Sequence, residues 1–522
     1  MIPVALALAL ALLAPGGPRL AVLRVTNGAS PFAGDRRLVT TVSPNGDGFR
    51  DAAIVRFVLD EPATVRLDVL RTDPSVAVVW SSSRSLAAGP GRLVWRPARS
   101  TPPRTYVLRL TLTDRLGRTR TYGAYGPDGR QDAPIVRVQG IDAGFTKRSY
   151  APGQLAELSI ATDARSVRVQ VFSYGGQAHP TPRDLRTSGT AMTPPVALDW
   201  MRHRSAPARI RVVRAGSWPS GLYFVRVTAG DGRVGYAPLV VRPRRLGEHR
   251  VAVVLATNTW QAYNSAAEDG DGWGDTWYVS GEVRRVDLER PYLDFGVPYR
   301  FHDWDLTFVS WLDSTGKAVD FLTDDDLERV ASAADLARAY DLIVFPGHEE
   351  YVTSHVYDLL TGYRDLGGNL AFLAANNVFR RVTRSGRWLV RGRLWRDLGR
   401  PEAALVGAQY VGSNHGARQE PYVVRGASAA PWLFAGTGLA DGSTFGRYGI
   451  EIDALTPASP PGTQLLAESP GLVAGRSAEM TYYETAGGTK VFDAGVLDFA
   501  ASLDQPAVSR LVENLWARLA RP

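Results

Sequence analysis

The stretch VAVVLATNTWQAYN, residues 251–264, sets the fold of the larger part of this chain. Its first six residues form a continuous apolar run, as expected for a strand that is buried on both faces of a parallel sheet. The residues that follow are mostly amide, hydroxyl and aromatic side chains, whereas an ordinary turn would supply Gly, Pro, Asp or Ser. The stretch therefore predicts a core strand that ends in one wall of a pocket.

Further apolar runs alternate with helical patterns from residue 249 to the end of the chain. The runs are DLTFVSWL (305–312), DLIVFPG (341–347), LAFLAAN (370–376) and KVFDAGV (490–496), and the helical patterns lie at 324–340, 354–368 and 505–519. Alternation of this kind is typical of a doubly wound parallel sheet. We therefore expect an α/β domain over residues 249–522.

The N-terminal half has the alternating pattern of half-buried strands. Short strands such as IVRFVL (54–59) and TVRLDVL (64–70) are separated by turns, and GLYFVRVT (221–228) repeats the pattern further along. We expect two all-β sandwiches, one at residues 36–132 and one at residues 134–243. At 522 residues the chain is too long for a single core, in agreement with several domains.

Composition excludes several classes of function. The formal charge is +8, but the basic residues, nearly all arginine, scatter along the sequence without a basic stripe, which argues against a nucleic-acid-binding protein. The absence of cysteine excludes thiol nucleophiles and cysteine metal sites. Residues 1–22 contain an apolar run that is too short to span a bilayer, and they predict a signal peptide or an N-terminal anchor. We expect an exported protein, secreted or held at the cell surface.

Two short loops combine acidic or amide residues with glycines. The first is SPNGDGFRD (43–51) and the second lies within SAAEDGDGWGDTWYVSG (265–281). Hard oxygens at such spacing suit Ca²⁺, but the same composition is typical of an Asx-rich or solvated turn. The candidate calcium ligands are Asn45, Asp47, Asp51, Asp269, Asp271 and Asp275.

Polar side chains follow three of the predicted parallel strands. TNTWQAYN (257–264), HEEY (348–351) and ANN (375–377) each begin where a strand ends. Ligands of open parallel sheets bind beyond the carboxyl ends of the strands, so these segments predict a site. The motifs G-x-S-x-G, G-x-G-x-x-G, G-x-x-x-x-G-K-[ST] and H-E-x-x-H are missing, which argues against the common hydrolase, nucleotide and zinc sites. Oxygen ligands for a hard cation remain.

A resemblance to a known family emerges from several motifs in order. Residues from about 195 to 520 resemble the large (beta) subunit of N,N-dimethylformamidase. The matching segments are WPSGLYFVRV (218–227), TNTWQAYN, RPYLDFGVP (290–298), FPGHEEY (345–351), GGNLAFLAANN (367–377), GIEIDAL (449–455) and MTYYETAGGTKVFDAGVLDF (480–499). The resemblance implies a fold like that of class I glutamine amidotransferases, without their nucleophilic cysteine. Residues 43–119, from SPNGDGFRD through PRTYVLRLTLTDRLGRT, resemble the immunoglobulin-like modules related to the flagellar hook-capping protein FlgD.

The same resemblance implies an active site with one iron ion, as Fe³⁺. Its ligands would be two tyrosines and a glutamate, which match Tyr223, Tyr263 and Glu350 in this chain. Further active-site residues implied by the motifs are His348, Asn376 and Glu451, with His348 or Glu451 as the general acid. Glu349 stands where the family has proline, and the acidic loop after residue 264 also departs from the family.

The resemblance implies an iron-dependent hydrolase of an amide C–N bond whose substrate is a small or envelope-derived amide, with a small partner subunit or an oligomer as a further expectation. A second hypothesis is a cell-envelope binding protein that keeps the scaffold and lacks catalysis. A third is a carbohydrate-directed protein, since Trp260, Trp273 and Trp277 would suit stacking on sugars.

Overall fold

The computed structural model describes residues 17–72, 77–123, 133–174, 187–266, 274–278, 281 and 283–520. These residues divide into two compact units. The first unit holds the described residues up to Gly140, Arg202–Ala206 and the described part of Ser265–Asp275. The second unit holds Ile141–Met201, Pro207–Asn264 and the residues from Thr276 onward. Residues 1–16 of the predicted signal segment lie outside the described residues.

The first unit is an all-β sandwich. Its strands are β1 (Leu20–Thr26), β2 (Val39–Val42), β3 (Ala53–Leu59), β4 (Ala63–Arg71), β5 (Val78–Leu86), β6 (Gly89–Trp95), β7 (Thr105–Thr113), β8 (Thr119–Tyr122) and β9 (Ile135–Val138). One sheet has the order β1-β3-β6, and the other has the order β2-β9-β7-β4-β5 with β8 on β7. Alternate residues such as Val55, Phe57 and Leu67 point inward and form the core between the sheets.

The second unit begins with another β sandwich. Its strands are β10 (Asp142–Phe145), β11 (Ser149–Tyr150), β12 (Leu155–Ala161), β13 (Ser166–Ser173), β14 (Thr190–Ala191), β15 (Val196–Asp199), β16 (Ala208–Arg214), β17 (Gly221–Ala229) and β18 (Val234–Val241). The sheets have the orders β10-β12-β16 and β11-β18-β17-β13-β14. Strand β17 is buried on both faces, because Tyr223 and Val225 point into the sandwich while Phe224 packs with Trp260 and Phe301.

A nine-stranded sheet forms the centre of the second unit. The remaining strands are β19 (Val251–Leu255), β20 (Arg285–Asp287), β21 (Asp320–Thr323), β22 (Leu342–Phe345), β23 (Tyr351–Val352), β24 (Asn369–Phe372), β25 (Arg380–Ser385), β26 (Trp388–Leu394), β27 (Gln409–Ser413), β28 (Gln419–Val424), β29 (Thr444–Gly449), β30 (Glu451–Ala454), β31 (Gln464–Val473), β32 (Arg476–Glu484) and β33 (Lys490–Asp493). The sheet order is β21-β19-β22-β24-β33-β32-β31-β28-β29. Pairing is parallel from β21 to β33 and antiparallel from β33 to β29. The sheet is therefore mixed, whereas the sequence predicted a parallel sheet throughout.

The helices of the described residues cover both faces of the parallel strands. They are α1 (Thr257–Ala262), α2 (Leu293–Gly296), α3 (Thr307–Ser314), α4 (Asp324–Leu327), α5 (Ala333–Ala339), α6 (Ser354–Asp365), α7 (Ala403–Val406), α8 (Pro431–Phe434) and α9 (Pro506–Leu519). Residues of α3 and α9 pack with Val253 on one face, and residues of α5 and α6 pack with Val254 on the other.

Two sequence-based assignments in this region were wrong. The run DLTFVSWL, predicted as a strand, forms a π-helical turn (His302–Leu306) and helix α3. Its buried residues Phe308, Val309, Trp311 and Leu312 recur with the spacing of a helix face, and this periodicity decides the conformation. The helical pattern at 324–340 forms two short helices, because Ser332 caps the N-terminus of α5.

Among the described residues, the search for a helix both long and apolar enough to cross a membrane finds none.

Candidate active site

Helix α1 follows β19 directly and carries the polar segment that the sequence singled out. The buried Asp324 carboxylate accepts hydrogen bonds from the Thr257 hydroxyl and the Asn258 backbone N–H, both at 2.8 Å, and from the Asn258 side-chain amide at 2.7 Å. The Asn258 amide also donates to the carbonyl of Tyr351 at 3.0 Å. These polar residues therefore anchor α1 to its neighbours, and the anchoring fixes Tyr263 at the C-terminal end of the helix.

Five of the predicted site residues come together beyond the ends of the parallel strands. The Tyr263 hydroxyl donates a hydrogen bond to Glu350 Oε2 at 2.7 Å. His348 Nε2 lies 3.6 Å from Glu350 Oε2 and 3.5 Å from Glu451 Oε2. The Asn376 side-chain amide donates to Glu451 Oε2 at 2.8 Å. We refer to Tyr263, His348, Glu350, Asn376 and Glu451 as the site cluster, and each is at most 6% exposed.

The backbone around the site cluster is strained. Asn376, Val378 and Ile450 have φ angles of 58°, 55° and 68°. Positive φ is rare for β-branched residues, costs on the order of 1–3 kcal/mol per residue, and clusters at functional sites. The Asp453 carboxylate accepts the Asn376 backbone N–H at 2.8 Å and helps to hold this conformation.

Burial controls the electrostatics of the site cluster. Loss of solvent raises the pKa of Glu350 to about 7, and loss of solvent with repulsion from Glu350 raises the pKa of Glu451 to about 8. Burial lowers the pKa of His348 to about 3, so its imidazole is neutral at neutral pH. The pKa of Tyr263 is raised well above its usual value by burial and by the nearby Glu350 charge. A bound cation would favour the ionised forms of these acids.

Several aromatic rings lie close to Tyr263. The ring centroids of Tyr278, Tyr299 and Trp304 lie 5.1, 6.3 and 6.4 Å from that of Tyr263. Tyr299 is 41% exposed, whereas Trp304 is buried. The site cluster therefore lies beneath an aromatic layer that reaches solvent at Tyr299.

The structure does not bring Tyr223 to the site cluster. Its hydroxyl donates to the carbonyl of Pro219 at 2.9 Å, and its ring contacts Trp218 with centroids 5.1 Å apart. Side chains alternate along β17, so Tyr223 points into the core of the second sandwich while its neighbour Phe224 faces the α/β core. Within the described part of the chain, Tyr223 contacts neither Tyr263 nor Glu350, and the predicted three-ligand set is corrected at this position.

The placement of Tyr223 makes a direct prediction. The change Tyr223→Phe removes one hydrogen bond to a carbonyl, so we expect a loss of about 1 kcal/mol in the free energy of unfolding. We expect no change in iron affinity, because the hydroxyl lies outside the site cluster. Denaturant unfolding measures the loss of stability, and iron titration measures the iron affinity. A loss of iron binding in this variant would place Tyr223 among the ligands after all.

The first acidic loop has the geometry of an Asx-rich turn. The Asp51 carboxylate accepts the backbone N–H groups of Gly46 and Gly48 at 2.9 and 2.8 Å. Asn45 Oδ1 accepts the N–H of Asp47, and Asp47 also pairs with Arg204 at 2.9 Å. These oxygens are engaged within the protein, which favours the turn over the calcium hypothesis. In the second loop, Asp269 and Asp271 lie outside the described residues, and the backbone N–H of Asp275 donates to Ala266.

Sequence reasoning missed two kinds of residue at the site. Asp453 shares strand β30 with Glu451 two positions earlier, and that spacing already puts both carboxylates on one face. The aromatic layer depends on the loops that carry Tyr278 and Tyr299 and on the π-helical turn that carries Trp304, and no local sequence pattern reveals that these segments approach one another. Trp260 and Trp277 are each 4% exposed and lie in cores, so neither offers an open face to a sugar, and Trp273 lies outside the described residues.

Buried phenol, carboxylate, imidazole and amide side chains at the ends of parallel strands are typical of an enzyme active site rather than of a spacer module. The family comparison agrees with this class. Residues 207–510 match the family described as N,N-dimethylformamidase beta subunit-like, C-terminal, and the chain belongs to that family. This confirms the resemblance inferred from the motifs.

Two individual proteins resemble parts of the chain. The N,N-dimethylformamidase beta subunit of Paracoccus aminophilus is 25% identical over an alignment that covers 40% of this chain and 36% of that protein. The chain thus spans about a third of the length of this curated relative. A solved tetra-tandem repeat from the extending region of a large adhesion protein matches at 13% identity, with a TM-score of 0.15, over 42% of this chain and 50% of that chain. A score this low carries no argument about fold.

Proposed function

We propose that this protein is an iron-dependent hydrolase of amide C–N bonds. The observation that carries the proposal is the 2.7 Å contact between the Tyr263 hydroxyl and Glu350 Oε2 beneath the neutral His348 imidazole. Membership of the N,N-dimethylformamidase beta subunit-like family supports hydrolase chemistry. The parallel half of the central sheet supports the amidotransferase-like scaffold that the family resemblance implies.

Two of the three implied iron ligands, Tyr263 and Glu350, lie together in the site cluster and suit iron. Phenolate and carboxylate oxygens are hard anionic ligands that suit Fe³⁺. Two oxygens 2.7 Å apart can both lie at ordinary metal–oxygen distances of ~2 Å. The described residues contain no group of three or more His, Asp or Glu side chains arranged to hold a metal, and the proposed set instead combines the Tyr263 phenol with Glu350.

Unpartnered polar atoms support an additional ligand at this point. His348 Nε2 and Asn376 Oδ1 are buried and have no hydrogen-bond partner among the described residues. With Tyr223 elsewhere, His348, whose Nε2 lies 3.6 Å from Glu350 Oε2, is the nearest group that could complete the set. Such a metal, when bound, polarises the amide carbonyl and lowers the pKa of its water.

The protein's own residues supply the proton chemistry. A departing amine must be protonated, so the site needs an acid that keeps its proton at neutral pH. Burial raises the pKa of Glu451 and lowers that of His348, so of the two groups Glu451 holds a proton more readily. The amide of Asn376 orients Glu451 through its 2.8 Å hydrogen bond. The structure thus favours Glu451 between the two acids that the sequence left open.

Iron-dependent release of amine tests the proposed function. The full-length protein, loaded with iron or stripped by a chelator, is incubated with small formamides and acetamides of primary and secondary amines. We expect release only with iron, and a decrease in kcat of at least about a hundredfold in Glu451→Gln, which has no carboxyl proton to donate.

Two outcomes would contradict this function. An iron-loaded protein without activity on the whole panel would favour a non-catalytic envelope binding protein. Full activity in Glu451→Gln would show that another group protonates the departing amine.

The setting of the enzyme is a separate proposal. The apolar run near the N-terminus of the sequence supports export to the cell surface or beyond, and the first sandwich suits the spacer role of FlgD-related modules. The relative is named as a beta subunit, which supports a search for a small partner subunit. Cell fractionation and co-purification from the native host test these two points.

A further inference from the structure

Positive charge is concentrated in the first unit. Residues 1–140 contain 19 arginines and ten acidic residues, whereas the rest of the chain is nearly balanced. The net positive charge of the whole protein therefore belongs to the N-terminal sandwich. A net positive charge attracts anionic binding partners, and the arrangement of the arginines on the sandwich decides which kind of partner can bind.

Three of these arginines form a row across the β1-β3-β6 sheet. Arg24 is paired with Arg56 in the register of β1 and β3, and Arg56 is paired with Arg92 in that of β3 and β6. Their flanking residues point into the core, so the three guanidinium groups share the outer face. Like charges directly opposite on neighbouring strands are destabilising, because their Cβ atoms lie about 5 Å apart. Because this repulsion destabilises the folded sheet, the three arginines point to a role in binding rather than in folding.

The outer members of the arginine row lack acidic partners. Arg56 donates to the Thr26 hydroxyl at 3.1 Å, whereas Arg24 and Arg92 are exposed and form no ion pair or hydrogen bond with the described residues. In the opposite sheet, by contrast, the buried Asp68 carboxylate pairs with Arg66 and Arg109 at 2.8 and 2.9 Å. The row is therefore available to an external anion.

A recess adjoins one end of the arginine row. Its volume is about 400 Å³, and Arg24, Arg36 and Arg37 line it. Asp35 also lines the recess, but its carboxylate already accepts hydrogen bonds from the Thr41 hydroxyl at 2.7 Å and from the Phe32 N–H at 2.9 Å. Arg37 donates to the carbonyl of Leu23 at 3.2 Å, and the exposed Arg24 is the guanidinium of the recess that also belongs to the arginine row. Guanidinium groups match phosphate oxygens through paired hydrogen bonds.

The neighbours of the arginine row favour a membrane over a polymer. Val22 and Val58 lie two residues from Arg24 and Arg56 and are 68% and 37% exposed. The outward residues of β3 and β6 are Arg56, Val58, Pro90, Arg92 and Val94, together with Ile54, which is buried at 8% exposure. None of them is aromatic, so this face has no platform on which bases or sugars could stack. Arginine beside exposed aliphatic side chains is typical of a lipid interface.

We propose that the outer face of the β1-β3-β6 sheet binds a membrane surface of anionic phospholipid, with the arginine row and its recess contacting the phosphates. This surface lies in the N-terminal sandwich and does not depend on the site cluster. It would hold the protein against a membrane.

Vesicle co-sedimentation tests the proposal with the full-length protein. Vesicles of phosphatidylcholine alone are compared with vesicles that also contain phosphatidylglycerol, at low and at raised salt. We expect binding only to the anionic vesicles, weaker at raised salt, and at least about tenfold weaker for the double variant Arg24→Gln/Arg92→Gln. The matched control Arg84→Gln/Arg115→Gln removes the same charge from exposed positions elsewhere in the sandwich and is expected to bind like the unaltered protein.

Three results would overturn the proposal. Equal affinity for neutral and anionic vesicles would remove the role of charge. Equal losses in both double variants would assign binding to net charge rather than to the arginine row. Tighter binding to duplex or single-stranded DNA than to the anionic vesicles would assign the surface to nucleic acid. Both doubles change exposed side chains, and circular dichroism checks that each variant is folded.

Discussion

Iron binding is expected to fall by more than about a hundredfold when Glu350 is changed to glutamine or Tyr263 to phenylalanine. Each change keeps the shape of the side chain and removes an anionic oxygen from the 2.7 Å contact at the centre of the site cluster. Competition with a chelator of known affinity measures the loss. A Fe³⁺-phenolate complex absorbs visible light, so the colour is expected to disappear in Tyr263→Phe.

Matched controls separate a ligand from a merely buried residue. Tyr223→Phe alters an equally buried tyrosine outside the site cluster, and Glu468→Gln alters a glutamate that pairs with Arg425 at 2.9 Å on the surface. Both are expected to bind iron like the unaltered protein. If Glu350→Gln binds iron equally well, the metal has other ligands and the assignment of the site fails.

Asp325→Ala is expected to lower the free energy of unfolding by about 3–5 kcal/mol. Asp325 is buried and pairs with Arg148 of the second sandwich at 2.5 Å and with Arg384 of β25. Its truncation would leave both guanidinium groups without their shared counter-ion. Arg384 also donates to Asn258 Oδ1 at 2.9 Å, so the change is expected to loosen helix α1 and weaken iron binding.

Denaturant unfolding measures this loss. Although burial opposes ionisation, the two arginines hold the pKa of Asp325 below its usual value. Its stabilisation is therefore present at neutral pH and is lost as the pH falls through the folded-state pKa. Asp358→Ala is the matched control, because Asp358 is 63% exposed where it pairs with Arg400 and is expected to cost less than about 1 kcal/mol. Equal effects of the two changes would show that the Asp325 network does not stabilise the fold.

Four residues of the site cluster were predictable because parallel strands bring their carboxyl ends to one edge, whereas Glu451 on β30 was implied only by the family resemblance. HEEY and ANN lie far apart in sequence, yet the rule for ligand position in parallel sheets placed His348, Glu350 and Asn376 together. The structure places Tyr223 away from the site cluster for a reason that the rule about strand ends does not cover. Alternation along β17 shows that neighbouring residues face opposite ways, but only the packing of the sandwich on the α/β core decides which face meets the site.

The arginine row was invisible in the sequence for a similar reason. Arg24, Arg56 and Arg92 are about 30 residues apart, so the basic residues appear scattered until strand register makes them neighbours. For the segment DLTFVSWL, by contrast, the sequence showed a pattern that led to the wrong assignment. Its apolar run satisfied the strand pattern, while the helical spacing of Phe308, Val309, Trp311 and Leu312 was equally present and decided the fold.

The most direct test of the account is the position of iron in crystals of the iron-loaded protein. Anomalous scattering recorded on either side of the iron absorption edge locates the metal without assumptions about its ligands. We predict a single strong peak at about 2 Å from Tyr263 Oη and from a Glu350 carboxylate oxygen, within reach of His348. A peak elsewhere in the chain, or no peak in fully loaded crystals, would contradict the proposal that this site holds iron.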